Sequence, residues 1–201
     1  MTTVRCGTWE LLTALIIFAP SLMMPSCSYC APTMQQLLDD LLAYARAGRG
    51  ELPQELLDVR RVVDGVVAGL SSAANRSGGR VTVGELPRSL VASRLVLTQV
   101  LHNLVANALK FARPGIPPQV RVDGTDTGGH VTFRVHDNGI GIDPVQRERV
   151  FQPFTRLNSR EAYPGSGVGL AICRRLVERS GGRIWLESDG TGTTFFVELP
   201  A

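Results

Sequence analysis

Two hydrophobic periods share this chain and change over at Pro114, so the fold has to join helices to a sheet. Before that proline, apolar residues recur at helical spacing. Met34, Leu37, Leu38, Leu41, Leu42 and Ala45 form a narrow seam stopped by Gly48 and Gly50, of the kind one helix presents to another in a bundle or dimer. A linker with Pro53 leads to a second helix, capped by Asp58 and carrying Val59, Val62, Val63, Val66, Val67 and Leu70. Ser77-Gly78-Gly79 ends it, Arg80 to Val83 reads as a short strand, and a third helix runs from about Ser93 to Ala112. Beyond Pro114, Val120 and Val122, then Val131, Phe133 and Val135, alternate as two strands joined around Gly128-Gly129. A short helix should begin near Pro144, and Phe151 to Ser166, rich in turn formers and charge, reads as a mobile loop. Leu170, Ile172, Leu176 and Val177 mark a fourth helix ending at Gly181-Gly182, and Arg183 to Glu187 and Thr193 to Leu199 close as two strands.

These elements predict a two-layer α/β sandwich with a mixed sheet, occupying residues 51–201 and large enough for a hydrophobic core. Residues 33–50 read as a single bundle helix ahead of it. Residues 1–32 are an atypical apolar segment with no assigned fold. Its run from Leu11 to Met24 is broken by Thr13, Pro20 and Ser21 and is shorter than a membrane-crossing helix needs. A signal peptide would explain Arg5 and the apolar core but not Glu10 beside it.

Composition removes several functions. With 21 Lys and Arg against 18 Asp and Glu, the net charge of +3 is too mild for nucleic-acid binding, and no basic block is present. Three His and four Cys exclude a disulfide scaffold, and their spacing matches no zinc site. Cys27 and Cys30 form a CxxC with no thioredoxin-like surroundings, and Cys173 falls within a helical pattern as a small packing residue.

Three stretches carry chemistry. On the third helix, Gln99, Asn103, Asn107 and Lys110 fall within an arc of about 80°, beside an apolar arc of Leu97, Val100, Leu101, Leu104, Ala108 and Phe111. An amide oxygen is a good neutral ligand for Mg²⁺, which also binds substrate phosphates, and Lys110 is placed to meet phosphate charge. A merely solvated helix face would read the same. Asp137-Asn138-Gly139-Ile140-Gly141-Ile142 follows a strand; its carboxylate could accept a hydrogen bond from an exocyclic amine, although D-N-G is also a common turn string. Gly165, Gly167 and Gly169 precede the fourth helix, where free amides and the positive dipole end suit an anion, or a simple hinge.

In this order, with Phe151-Gln152-Pro153-Phe154 and Gly192-Thr193-Thr194-Phe195, these strings resemble the nucleotide-binding boxes of sensor histidine kinases, from about Pro53 to Pro200. The catalytic domain of that family belongs with DNA gyrase, Hsp90 and MutL. The stretch Arg160 to Cys173 most resembles phytochrome-type kinases. The resemblance implies a histidine-kinase-type ATPase fold that binds ATP and Mg, with Asn107 on Mg²⁺, Asn103 lining the phosphate site and Lys110 on phosphate. It places Asp137 on the adenine amino group, with Gly139 and Gly141 shaping that pocket. Gly165, Gly167 and Gly169, running into Leu170, would hinge a lid over the triphosphate, with Phe151 and Phe154 anchoring its far end. The superfamily's ATPases have a water-activating Glu where this chain has Asn103. An amide is no general base, so slow hydrolysis and transfer to another acceptor are expected.

The implied activity is that of a protein histidine kinase in two-component signal transduction, a transferase feeding a phosphorelay. Its partners would be a histidine-phosphotransfer bundle domain and a response regulator, with a homodimer in the full-length protein and a cytoplasmic location where ATP is found, or membrane association there through a missing or remnant N-terminal region. The helix Met34 to Ala47 resembles the second helix of the bundle. No segment resembles the first, and His102, His130 and His136 lack the context of a phosphoacceptor. The chain is therefore expected to be a truncated kinase unable to autophosphorylate alone. The alternatives are a serine protein kinase acting in trans, like the anti-sigma kinases, and a non-catalytic ATP-binding regulatory module.

Overall fold

The computed structural model describes Ala47, residues 50–157, Tyr163 and residues 165–201. The segment 1–32 and the seam from Met34 lie outside the described residues, apart from Ala47 at the seam's end. A strand unread in the sequence comes first: β1 (Glu55–Asp58) pairs antiparallel with β3 (Ser89–Ala92). Each spans four residues and together they bury only Leu57, Leu90 and Ala92, too few to leave a periodic signal.

The predicted second helix exists but is broken. Asp58 caps α1 (Val59–Gly69) by accepting a hydrogen bond from the Arg61 amide at 3.1 Å. At Leu70 the helix stops, because the Ser71 hydroxyl donates to the Ala68 carbonyl at 2.7 Å and competes with the helical ladder. A second short helix, α2 (Ser71–Ser77), follows and ends at left-handed Gly78 (φ 64°).

The sheet has the order β2-β4-β5-β7-β6, made from β2 (Arg80–Val83), β4 (Gln119–Asp126), β5 (His130–Asp137), β6 (Arg183–Ser188) and β7 (Thr193–Pro200). β2 runs parallel to β4 and the remaining pairs are antiparallel, so the sheet is mixed. On one face lie α3 (Arg94–Lys110) and α4 (Gly169–Arg179). Leu97, Leu101, Leu104 and Val105 of α3 meet Val131, Phe133 and Val135 of β5, while Cys173 and Val177 of α4 complete the core, all at 1% exposure or less. The predicted α3 arc is right except for Phe111, which caps the helix and stays half-buried. On the other face, Trp185 and Phe196 stack with centroids 5.1 Å apart, and Arg134 pairs with Asp123. The helix expected at Pro144 is instead two single 3₁₀ turns, Pro144–Gln146 and Arg149–Phe151.

Candidate functional site

The ends of β5, α3 and α4 converge on one cavity of about 520 Å³. Asn103, Asn107 and Lys110 line it from α3, Asp137 from the end of β5, Gly141 from the turn beyond, and Gly165, Gly167, Gly169 and Leu170 from the approach to α4. These are nine of the ten residues singled out from the sequence. Gly139 supports the wall without lining it, and Gln99 is exposed and takes no part.

Asp137 is the best-fixed member. It is 6% exposed, and its Oδ1 accepts hydrogen bonds from the amides of Gly139 at 2.8 Å and Thr193 at 3.2 Å. Burial pushes its carboxyl above the usual range, opposed by those two amides and by nearby His136 and Arg113. The following turn is tied to α3, since the Ile140 amide donates to the Phe111 carbonyl at 3.0 Å. A Cβ on Gly139 would lie 2.5 Å from that oxygen, so only glycine fits. Arg113 braces the same region, donating from Nε to the carbonyls of Asn138 (3.0 Å) and Gly139 (2.9 Å) and from Nη2 to that of Thr191.

The opposite side is glycine-built. Gly167 has φ 77°, and a Cβ there would fall 2.6 Å from the Thr155 carbonyl oxygen. Lys110 stands at this end, its Nζ 4.3 Å from the Phe111 ring centroid. Partial burial, and next the charge of Arg156, hold its pKa below the ordinary lysine value. Tyr163 packs on Phe111 at 5.1 Å and donates its hydroxyl to the Ala112 carbonyl at 2.9 Å, while Arg156 donates to the Tyr163 carbonyl. Part of the segment read as a loop therefore has definite partners; residues 158–162 and 164 lie outside the described residues. Phe151 is buried edge-on to Phe195 at 6.3 Å, whereas Phe154 is 53% exposed with φ 64°.

Of the apolar walls, Val150 and Leu157 were missed in the sequence, whereas Ile142, Phe195 and Thr193 beside Asp137 fell within strings likened to nucleotide-binding boxes but were given no role of their own. Their strands and turns looked like ordinary core, and only the convergence of the elements turns them toward a ligand. The result is a slot with an acceptor carboxylate at one end, apolar sides, and amides, an ammonium and a helix N-terminus at the other. That polarity suits a flat base bearing an amine, joined to a polyanion. Among the described residues no group of three or more His, Cys, Asp or Glu could hold a metal. The neutral Asn107 oxygen suits a hard cation that arrives with phosphates better than a resident ion.

Residues 92–201 match the family of histidine kinase-, DNA gyrase B-, and HSP90-like ATPases. The chain belongs to this family. Phytochrome-like protein Cph1 of Synechocystis sp. is 42% identical over 168 residues, covering 83% of this chain and 22% of that protein. The crystal structure of full-length ShkA in complex with AMPPNP superposes with a TM-score of 0.74 at 28% identity, covering 99% of this chain and 40% of that one. The mycobacterial sensor histidine kinase MprB gives 0.64 at 28% identity, over 74% of this chain and 97% of that one. The fold is that of a histidine kinase ATPase domain. This family member thus spans only about a fifth of the length of curated relatives such as Cph1. Among its described residues no helix is long and apolar enough to cross a membrane.

Proposed function

We propose that this chain is the ATP-binding catalytic part of a sensor histidine kinase, carrying the γ-phosphoryl group of Mg·ATP to a histidine on a helical bundle domain and thence to a response regulator. The observation that carries the reading is the single cavity onto which Asp137, Asn107, Lys110 and the start of α4 all open. In this reading Asp137 accepts a hydrogen bond from the adenine amine, and Ile142 and Phe195 sandwich the base. The Asn107 oxygen ligates the Mg²⁺ that the nucleotide brings, and Lys110 and the α4 amides take phosphate oxygens. Gly139 and Gly141 keep the base pocket open, and Gly165, Gly167, Gly169 and Leu170 form the mouth over the triphosphate.

Mg²⁺ would supply charge neutralisation on the phosphates; the protein supplies position and fixed dipoles. Transfer breaks the bond between the γ-phosphorus and the bridging oxygen, forms a phosphorus–nitrogen bond to the acceptor imidazole, and releases ADP. Asn103, an amide, cannot deprotonate water, which favours transfer over hydrolysis. The reading assigns the acceptor role to none of the chain's own histidines: His136 binds the Thr194 hydroxyl through Nδ1 at 2.9 Å, His130 opens β5 at the hairpin, and His102, exposed along α3, lacks the sequence context of a phosphoacceptor. A bundle domain, paired as a homodimer, would provide it.

Calorimetry with Mg²⁺ and a non-hydrolysable ATP analogue tests the binding, and γ-labelled ATP with a supplied bundle domain tests the transfer. The reading expects saturable heat, label on the bundle histidine, and no acid-labile phosphohistidine on this chain alone. Absence of heat would remove it; heat without transfer to any bundle domain would favour the regulatory module.

A further inference from the structure

Behind the Asn103 amide lies a thiol that the proposed chemistry does not use. Cys173 on α4 is 0% exposed, and burial pushes its pKa up to about 12, so it is a neutral S–H at any working pH. Its Sγ lies 4.0 Å from the Val100 carbonyl of α3, one helical turn before Asn103. The Asn103 side chain is gripped by two α4 residues four apart, which share a helix face. At one end, Oδ1 sits beside Gly169, where a Cβ would lie only 3.3 Å from it. At the other, Nδ2 is buried and meets no partner at hydrogen-bonding geometry, although the thiol feels the amide through a side-chain interaction. A buried, unpaired N–H is costly, and a polarisable sulfur that can accept weakly is the polar group on hand.

We propose that Cys173 is a positioning residue for Asn103: its sulfur is the polarisable neighbour against which the otherwise unpartnered Nδ2–H rests, while its own hydrogen points to the Val100 carbonyl. The amide is thereby held with nitrogen toward the α3–α4 interface and oxygen toward the cavity. Its functional consequence rests on the nucleotide reading above. The orientation decides whether Asn103 offers an acceptor or a donor to the bound polyphosphate and its cation. An inverted amide would exchange the acceptor and donor ends presented to the bound Mg·ATP and alter the fit. Gly169 contributes the space that lets the oxygen end settle there.

The test uses the whole chain. In the nucleotide-free wild type, NMR of the Asn103 side-chain amide should show one orientation, with hydrogen exchange slower than for an exposed Asn. Cys173→Val, apolar and without lone pairs though about a methyl group larger, should speed that exchange and weaken Mg·ATP-analogue binding by about two- to tenfold. Cys173→Ser should restore part of both effects. In an Asn103→Ala background, Cys173→Val should leave affinity unchanged, which loss of packing alone would not do. Free-amide exchange in the wild type, or equal affinity losses with and without Asn103, would overturn the proposal. If the wild type binds no nucleotide, the functional reading fails, and the amide exchange still decides the role of Cys173.

Discussion

Replacing Asp137 separates what holds the site together from what recognises a ligand. Its Oδ1 already receives the Gly139 and Thr193 amides, leaving Oδ2 with no hydrogen-bond partner among the described residues. Asp137→Asn keeps an oxygen for those two amides and removes a buried charge, so folding stability at neutral pH should hold within about 1 kcal/mol of the wild type or rise. Asp137→Ala instead orphans two buried N–H groups and should cost about 2–6 kcal/mol. Binding should behave differently. In the proposed nucleotide reading, Asn turns the free acceptor into a donor facing the adenine amine, forfeiting a hydrogen bond to a charged group of about 1.5–3 kcal/mol, or roughly 10- to 150-fold in affinity. Because burial raises the native carboxyl pKa, its contribution to stability is full below the unfolded pKa and is lost as pH rises through the native one. Any stability advantage of Asp137→Asn should therefore appear at neutral pH and shrink on acidification. Urea unfolding across pH, beside calorimetry with a non-hydrolysable ATP analogue, measures both. An Asn variant that binds as the wild type does, or unfolds as easily as the Ala variant, would refute the reasoning.

Asn107→Ala should weaken the Mg²⁺-loaded analogue by tenfold or so, as for loss of one hydrogen bond to a charged group, and the metal-free nucleotide far less; paired titrations with Mg²⁺ and with EDTA compare them. Lys110, whose pKa is held down in the free protein, should regain its proton beside phosphate. Nucleotide binding should then take up protons at alkaline pH, and affinity should fall as pH rises through the depressed pKa, as calorimetry in buffers of different ionisation heat would show; Lys110→Met should abolish both. Gly167→Ala meets positive φ and the Thr155 carbonyl together and should slow or weaken nucleotide binding several-fold, with thermal stability down by about 1–3 kcal/mol. Stopped-flow with a fluorescent analogue reads the first effect, and equal on-rates would count against it.

Long periodic segments were legible in the sequence for a simple reason: α3, β5 and β7 bury alternate or i, i+4 residues so completely that packing and pattern are one fact. The polar stripe of Asn103, Asn107 and Lys110 was readable because it interrupts such a pattern, and the glycine strings because they have no side chains to pack. What was illegible has physical causes too. β1 and β3 bury too little to alternate visibly, and the break at Leu70 arises from one serine hydroxyl that periodicity ignores. The apolar walls depend on contacts between distant strands. The role of Arg113 is invisible beforehand, since a single arginine near a proline carries no pattern, yet it spans three carbonyls from two loops.

If the site holds a nucleotide as proposed, that arginine has a consequence for the choice of base. With Asn138, Gly139 and Thr191 pinned to one guanidinium, the Asp137 carboxylate has no room to swing aside for a poorly matched base. A guanine would bring its 6-keto oxygen against the acid, two acceptors meeting with neither able to retreat. Selectivity among purines would then reside in the stiffness of the backbone behind the carboxylate as much as in the carboxylate itself.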